Sequence, residues 1–169
     1  MAAHYTTINY RESYHLFACC GILFNHESYL RGETFFVKKV IRSAIAIKNG
    51  QLDVLEVGNL NIKRDFGWSE RYVEAMWLML QQPQAEEYVI SSGKSVWLRD
   101  IVYYVFDKLQ LDKSKIKLNQ DLFRPTDIED IYGCSDKARQ RLGWNYDLDF
   151  FKVLDILIEE ENRNYSKGR

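Results

Sequence analysis

Little in this 169-residue chain marks it for cross-linking, for a membrane or for a polyanion. Cysteine is scarce: only Cys19, Cys20 and Cys134 occur. An odd count without metal-ligand spacing argues against a disulfide framework and a zinc site, and the expected compartment is the reducing cytoplasm. The two prolines, Pro83 and Pro125, fall in expected loops. No stretch reaches ~18 consecutive apolar residues, so no membrane-spanning helix is expected. The segment MAAHYTTINYRES has neither the basic start nor the apolar stretch of a signal peptide, and a soluble protein is expected. An excess of one charge is missing too. Lysine and arginine number 23 against 24 aspartates and glutamates, giving −1 at pH 7. With a pI near 6.3, no global field draws the chain to nucleic acid or to an anionic membrane. Any grip on phosphate has to come from a few placed cations.

Motifs that carry chemistry are equally sparse. The nine glycines form no G-x-G-x-x-G and no P-loop. His4, His15 and His26 have no partner at metal-ligand spacing, and there is no G-x-S-x-G elbow. One Tyr-x-x-x-Lys occurs at Tyr104 and Lys108, on an expected amphipathic helix where Tyr104 should pack and Lys108 should face water. The residues spell out neither a complete catalytic site nor a metal site.

What is present is a globular composition, 46% apolar and 14% aromatic. A chain of this size can bury roughly 70% of its unfolded surface, as one domain or as one domain plus a short tail. Helices are expected at 2–14, at Glu33–Asn49 with Gly50 as stop, at Glu70–Gln82 capped by Ser69, and after Ser95 to about Leu109. A short helix should open at Ser135 or Asp136 and close at Gly143, and a last one should run Asp149–Asn162, leaving Asn164–Arg169 frayed. The apolar stripe of the third helix is read as Val73, Met76, Trp77 and Leu80. Leu16–Phe24 (LFACCGILF) is a continuous apolar run that suits a buried parallel strand. Further strands are expected at 52–57, 87–90 and 115–118. Alternating helices and short strands make the chain α/β or α+β.

The candidates for binding are cations and polar groups in loops. Asn25, His26, Glu27 and Ser28, with Arg31, form a cluster at a strand end, where α/β proteins place function; a plain helix start is the bland alternative. Lys38 and Lys39 read most simply as a solvated helix face. Arg64 and Asp65 read as an internal ion pair. Arg124, in Arg-Pro-Thr-Asp at 124–127, is poised to fork onto a phosphate or onto Asp127. A guanidinium matches two phosphate oxygens at once, each charge-assisted bond contributing about 1.5–3 kcal/mol.

Taken together these loops resemble a known family. GILFNHES (21–28), RGETFFVKKV (31–40), GNLNIKRDFGWSERYVEAMWLMLQQ (58–82), the Arg-Pro-Thr-Asp segment and SDKARQRLGW (135–144) occur in collinear order. They are similar to blocks of the GDP-mannose 4,6-dehydratases, which are extended short-chain dehydrogenase/reductases. The resemblance implies the C-terminal, substrate-binding portion of an α/β enzyme: 1–24 as a remnant of the Rossmann-type domain, carrying the last strands of its sheet without its N-terminal part, 25–163 as the substrate-binding portion and 164–169 as a tail. It implies a lyase reaction that turns GDP-mannose into GDP-4-keto-6-deoxymannose, toward GDP-fucose, with NADP as cofactor. By the same resemblance His26 and Arg31 match positions that touch NADP. Asn25, Lys39, Arg64 and Arg124 match positions that hold the GDP-sugar. Asp127 stands where the family has Glu, and Phe66 and Trp68 replace a Trp and a His beside Arg64. The family's glycine-rich loop and its catalytic Thr, Glu, Tyr and Lys have no counterpart here, so the chain alone is expected to be inactive and not to bind NADP unaided. A missing N-terminal Rossmann half or a homo-oligomer partner is implied. Two alternatives stay open: a non-catalytic nucleotide-sugar-binding or oligomerisation module, and a piece of a related nucleotide-sugar epimerase or reductase.

Overall fold

The computed structural model describes residues 2–124 and 126–167. Its elements are α1 (Ala2–Tyr14), β1 (Cys20–Leu23), β2 (Asn25–Glu27), α2 (Phe36–Lys48), β3 (Leu55–Val57), β4 (Lys63–Trp68), α3 (Ser69–Leu80), β5 (Glu87–Ile90), β6 (Ser95–Trp97), α4 (Leu98–Leu109), β7 (Ile116–Leu118), β8 (Asp130–Ile131), α5 (Asp136–Leu142) and α6 (Phe150–Lys167). The α/β expectation holds.

Two apolar cores organise these elements. In the larger, α2 turns Val37, Val40, Ile41 and Ala44 inward at i, i+3, i+4, i+7 spacing, against Ile101, Val102 and Val105 of α4 and Val153 and Leu154 of α6. All nine are fully buried, so truncating one of the larger ones should cost about 2–5 kcal/mol. β3 and β4 lie against this helical layer, contributing Leu55, Val57, Phe66 and Trp68. In the smaller core, Tyr72, Ala75 and Met79 of α3 meet Tyr88 and Ile90 of β5, Ala138 and Leu142 of α5, and Trp144. β1 belongs on this side, paired in parallel with β5 from Cys20↔Glu87 to Leu23↔Ile90. Arg11 ties α1 to the same unit through Glu87 at 2.7 Å and the Ala18 carbonyl at 2.9 Å. The first 24 residues therefore pack with residues from the 72–90 and 138–144 regions.

β4 joins the two sides. β2 runs parallel to its C-terminal half (Asn25↔Phe66), while β6 pairs antiparallel and β8 parallel with its N-terminal half. The sequence offered no strand here, because KRDFGW contains Asp, Gly and two cations, all poor strand formers in isolation. Alternation resolves the conflict: Phe66 and Trp68 enter the larger core, and Asp65 is buried on the other face. Gly67 is needed because a Cβ there would lie 2.4 Å from the Tyr72 ring.

Several expectations are corrected. Asn25–Glu27 is a strand, not a loop. β1 spans four residues of the expected nine, and Leu16, Phe17 and Ile22 are about half exposed, because β5 is its only strand neighbour among the described residues. The stripe Val73, Met76, Trp77 and Leu80 faces outward; α3 buries Tyr72, Ala75 and Met79 instead. Helical spacing identifies an apolar face but not the surface that covers it. Ser69 lies inside α3, whose N-cap is Trp68, and Ser95 lies in β6. α6 continues through Lys167 beyond the expected frayed start at Asn164, and Tyr165 bonds Gln51. Pro125 lies outside the described residues.

Candidate functional site

The chain leaves β1 through Phe24, whose N–H donates to the Ile90 carbonyl at 3.0 Å, and enters β2. Successive residues of β2 then point to opposite sides. Asn25 and Glu27 line a cavity of about 600 Å³, whose wall also carries Arg31, Arg64, Arg124 and Asp127. Five of the seven residues singled out from the sequence thus meet in one place, although they come from four separate stretches of chain. Formal charges of +3 from the arginines and −2 from Glu27 and Asp127 leave the wall cationic.

Each charge is held differently. Arg64 Nη1 donates to the carbonyls of Lys63 at 2.6 Å and Ile128 at 2.7 Å, and Nη2 lies 3.8 Å from Asp127 Oδ1. Arg64 does not pair with Asp65. Adjacent strand residues face opposite ways, and Asp65 is fully buried, accepting from Ser92 N (3.0 Å), Ser92 Oγ (2.6 Å), Gly93 N (3.0 Å) and Gly133 N (3.2 Å). Arg31 Nη1 donates to the His26 carbonyl at 2.6 Å, and its guanidinium stacks over Phe35 at 3.9 Å. Its Nε lies 3.3 Å from Glu27 Oε2, close enough to pair but without the alignment of a hydrogen bond. Arg124 forms no ion pair with Asp127, which faces Arg64 instead. Asn25 Nδ2 donates to the Asp65 carbonyl at 3.1 Å, so its side chain is anchored by β4.

His26 and Lys39 stand apart from the cavity. The His26 ring turns to the opposite side of β2, 5.1 Å from Tyr72, with Nδ1 2.9 Å from the Phe24 carbonyl. Lys39 Nζ donates to the Glu56 carbonyl at 2.9 Å, beside the end of β3. Lys38, read from sequence as solvated, is buried in an ion pair with Glu161 and donates to the Tyr29 carbonyl at 2.8 Å. Tyr104 and Lys108 both reach Asp155 of α6, at 2.8 and 2.9 Å, and so serve a helix contact.

Glu27 is named in the polar cluster read from the sequence, but neither the residues nor the resemblance gave it a role of its own. It is 2% exposed, and burial pushes its carboxyl up to about 7 against the pull of Arg31 and then Lys38. Gly58 also matters. A Cβ there would meet the Leu122 carbonyl at 2.7 Å, so only glycine lets the 119–122 turn close the cavity wall. A larger cleft of about 710 Å³ opens between α2 and the end of α6. Its charged groups are spent within the fold, Glu161 on Lys38 and Arg42 on Glu33. Among the described residues no cluster of His, Cys, Asp and Glu could hold a metal. No described helix is long and apolar enough to cross a membrane.

As for NADP, His26 and Arg31 face different sides of β2, and the sequence has no glycine-rich turn to cradle a pyrophosphate. These residues do not make a self-contained dinucleotide site.

The same fold recurs in solved structures about twice as long as this chain. The chain superposes on the structure of RMD from Pseudomonas aeruginosa complexed with NADPH (TM-score 0.83, 20% identity, 94% of this chain and 52% of that one). It also superposes on dTDP-glucose 4,6-dehydratase from Bacillus anthracis in complex with NAD (TM-score 0.84, 15% identity, 97% and 50%). The family model for GDP-mannose 4,6 dehydratase matches residues 1–157, and the chain belongs to that family, matching its C-terminal part. GDP-mannose 4,6 dehydratases 1 and 2 of Arabidopsis thaliana are 40% and 42% identical over 95% of this chain. The chain spans about half the length of the curated relatives it matches, 45% and 43% of these two.

Proposed function

We propose that this chain is the nucleotide-sugar-holding half of a GDP-mannose 4,6-dehydratase, acting in the cytoplasm with an N-terminal NADP-binding half. The observation that carries the reading is the convergence of Asn25, Arg31, Arg64, Arg124 and Asp127 on one cavity of about 600 Å³, within the size range of small-ligand sites. In this reading Arg64 is the fixed anchor for the diphosphate, since two carbonyls hold its guanidinium. Arg124, which has no ion-pair partner among the described residues, closes on the ligand. Asn25 and Asp127 hydrogen-bond ribose or sugar hydroxyls. Lys39 and His26 sit at the margins, His26 toward the side where the cofactor-binding half would lie.

Holding the sugar does not by itself lower a barrier, because uniform binding leaves the climb from the bound state unchanged. NADP would supply the hydride chemistry, and its grip would come mainly from the N-terminal half. The exposed row Val73, Met76, Trp77 and Leu80 on α3 supports docking of that half, as does the second edge of β1, which has no strand partner among the described residues. On this reading residues 1–24 belong with the docking side.

Calorimetric titration of the chain with GDP-mannose, with UDP-glucose as control, tests the proposal. Saturable binding of GDP-mannose alone is expected. A folded chain that binds neither ligand would refute a preformed nucleotide-sugar site.

A further inference from the structure

The cavity contains one group that the reading above does not use. Glu27 is 2% exposed, yet it lines the same wall as three arginines. Its immediate cation is Arg31, whose Nε lies 3.3 Å from Oε2 without an aligned hydrogen bond. Lys38 of α2 acts on it from farther away and is committed to Tyr29 and to Glu161 of α6. His26, its neighbour on β2, turns its ring to Tyr72, and Asp127 across the cavity faces Arg64. Glu27 is thus a buried carboxylate with one loosely fitted counter-ion, and that counter-ion borders the space a ligand would fill.

We propose that the cavity is a proton-linked anion site, in which Glu27 takes up a proton when a phosphate-bearing ligand docks against Arg31. The inference rests on the nucleotide-sugar reading and adds a regulatory property to it. Ionised Glu27 neutralises Arg31 and repels an incoming phosphate. Protonated Glu27 leaves the guanidinium charge to the ligand. By linkage, a ligand that prefers the protonated form raises the proton affinity of Glu27, and binding weakens as pH rises through the neutral range. The carboxyl is already poised there, since burial holds it at about 7. At a separation of roughly 6 Å and an effective dielectric of roughly 40, the repulsion amounts to about tenfold in affinity.

The experiment titrates the full chain with GDP-mannose in buffers of different ionisation enthalpy, at several pH values on either side of neutrality. Both phosphates of this ligand are esterified and keep their charge over that range, so protons taken up come from the protein. The wild type should absorb about half a proton at the maximum and bind about tenfold more weakly at the alkaline end. Glu27→Gln should bind at the tight level with no pH dependence, whereas His26→Gln should retain it. Binding without proton uptake, or an undiminished pH dependence in Glu27→Gln, overturns the inference while leaving the nucleotide-sugar reading intact. No binding at any pH overturns both. If Glu27→Gln does not fold, carbon NMR of the Glu27 carboxyl in the wild type decides. Its titration midpoint should rise by about one unit on adding GDP-mannose, and an unmoved midpoint overturns the inference.

Discussion

Asp65 offers the sharpest test of how the two cores are joined. It is fully buried, and its two oxygens accept three backbone N–H groups and one hydroxyl from Ser92, Gly93 and Gly133. Asp65→Asn keeps the shape but replaces one oxygen with a donor. In either orientation the new NH₂ faces at least one backbone N–H, at Ser92 or at Gly93 and Gly133. A buried donor left unpaired costs about 1–3 kcal/mol, and the surviving bonds lose their charge assistance, so about 3 kcal/mol is expected. Asp65→Ala abandons all four bonds and should cost about 5 kcal/mol, comparable with the whole stability of a small domain. Urea unfolding followed by circular dichroism measures this directly, provided the slope against urea is unchanged. A loss below about 0.5 kcal/mol for Asp65→Asn would refute the idea that this carboxylate clamps the 91–94 loop and Gly133 to β4. Because Asn25 bonds the Asp65 carbonyl, the same variant should also weaken GDP-mannose binding.

Glu27→Gln gives a stability difference whose sign is set by burial. Burial pushes the native carboxyl from its ordinary 4.5 up to about 7, so ionising it disfavours the folded state. The wild type therefore loses stability as pH rises from about 4.5 to about 7. Melts of the two proteins should agree more closely at acid pH, and the variant should gain about 3 kcal/mol relative to the wild type by pH 8. Gly67→Ala should destabilise by about 2–3 kcal/mol, because its Cβ would lie 2.4 Å from the Tyr72 ring. A double-mutant cycle with Tyr72→Leu should recover much of that loss, and simple additivity would argue against the clash. Trp77→Glu, on the exposed row of α3, should change stability by less than about 0.5 kcal/mol yet abolish association with a dehydratase N-terminal half in sedimentation experiments. A large drop in stability would mean the row is covered within this chain.

The α/β class, the presence of helices α2, α4 and α6, strand β5 to the residue and the family could all be read from the sequence. Those signals are local. A 3.6-residue period, a glycine stop such as Gly143 at φ 66° and a collinear set of loop motifs can all be read without knowing what lies opposite. Most of the candidate site was legible for the same reason, since Asn25, Arg31, Arg64, Arg124 and Asp127 sit in recognisable blocks. Which of them meet was settled by the tertiary structure. It separated Arg64 from Asp65 across β4, sent His26 to the far side of β2 and took Lys38 out of solvent to pair with Glu161. It also turned the Trp77 face of α3 outward. In each case the deciding interaction comes from a distant part of the chain. A charged residue's local neighbours do not reveal whether it will end against water, a carbonyl or an opposite charge. Strand β4 makes the point most clearly: KRDFGW has weak strand preference, and β2, β6 and β8 pairing on both of its edges make it the centre of the sheet.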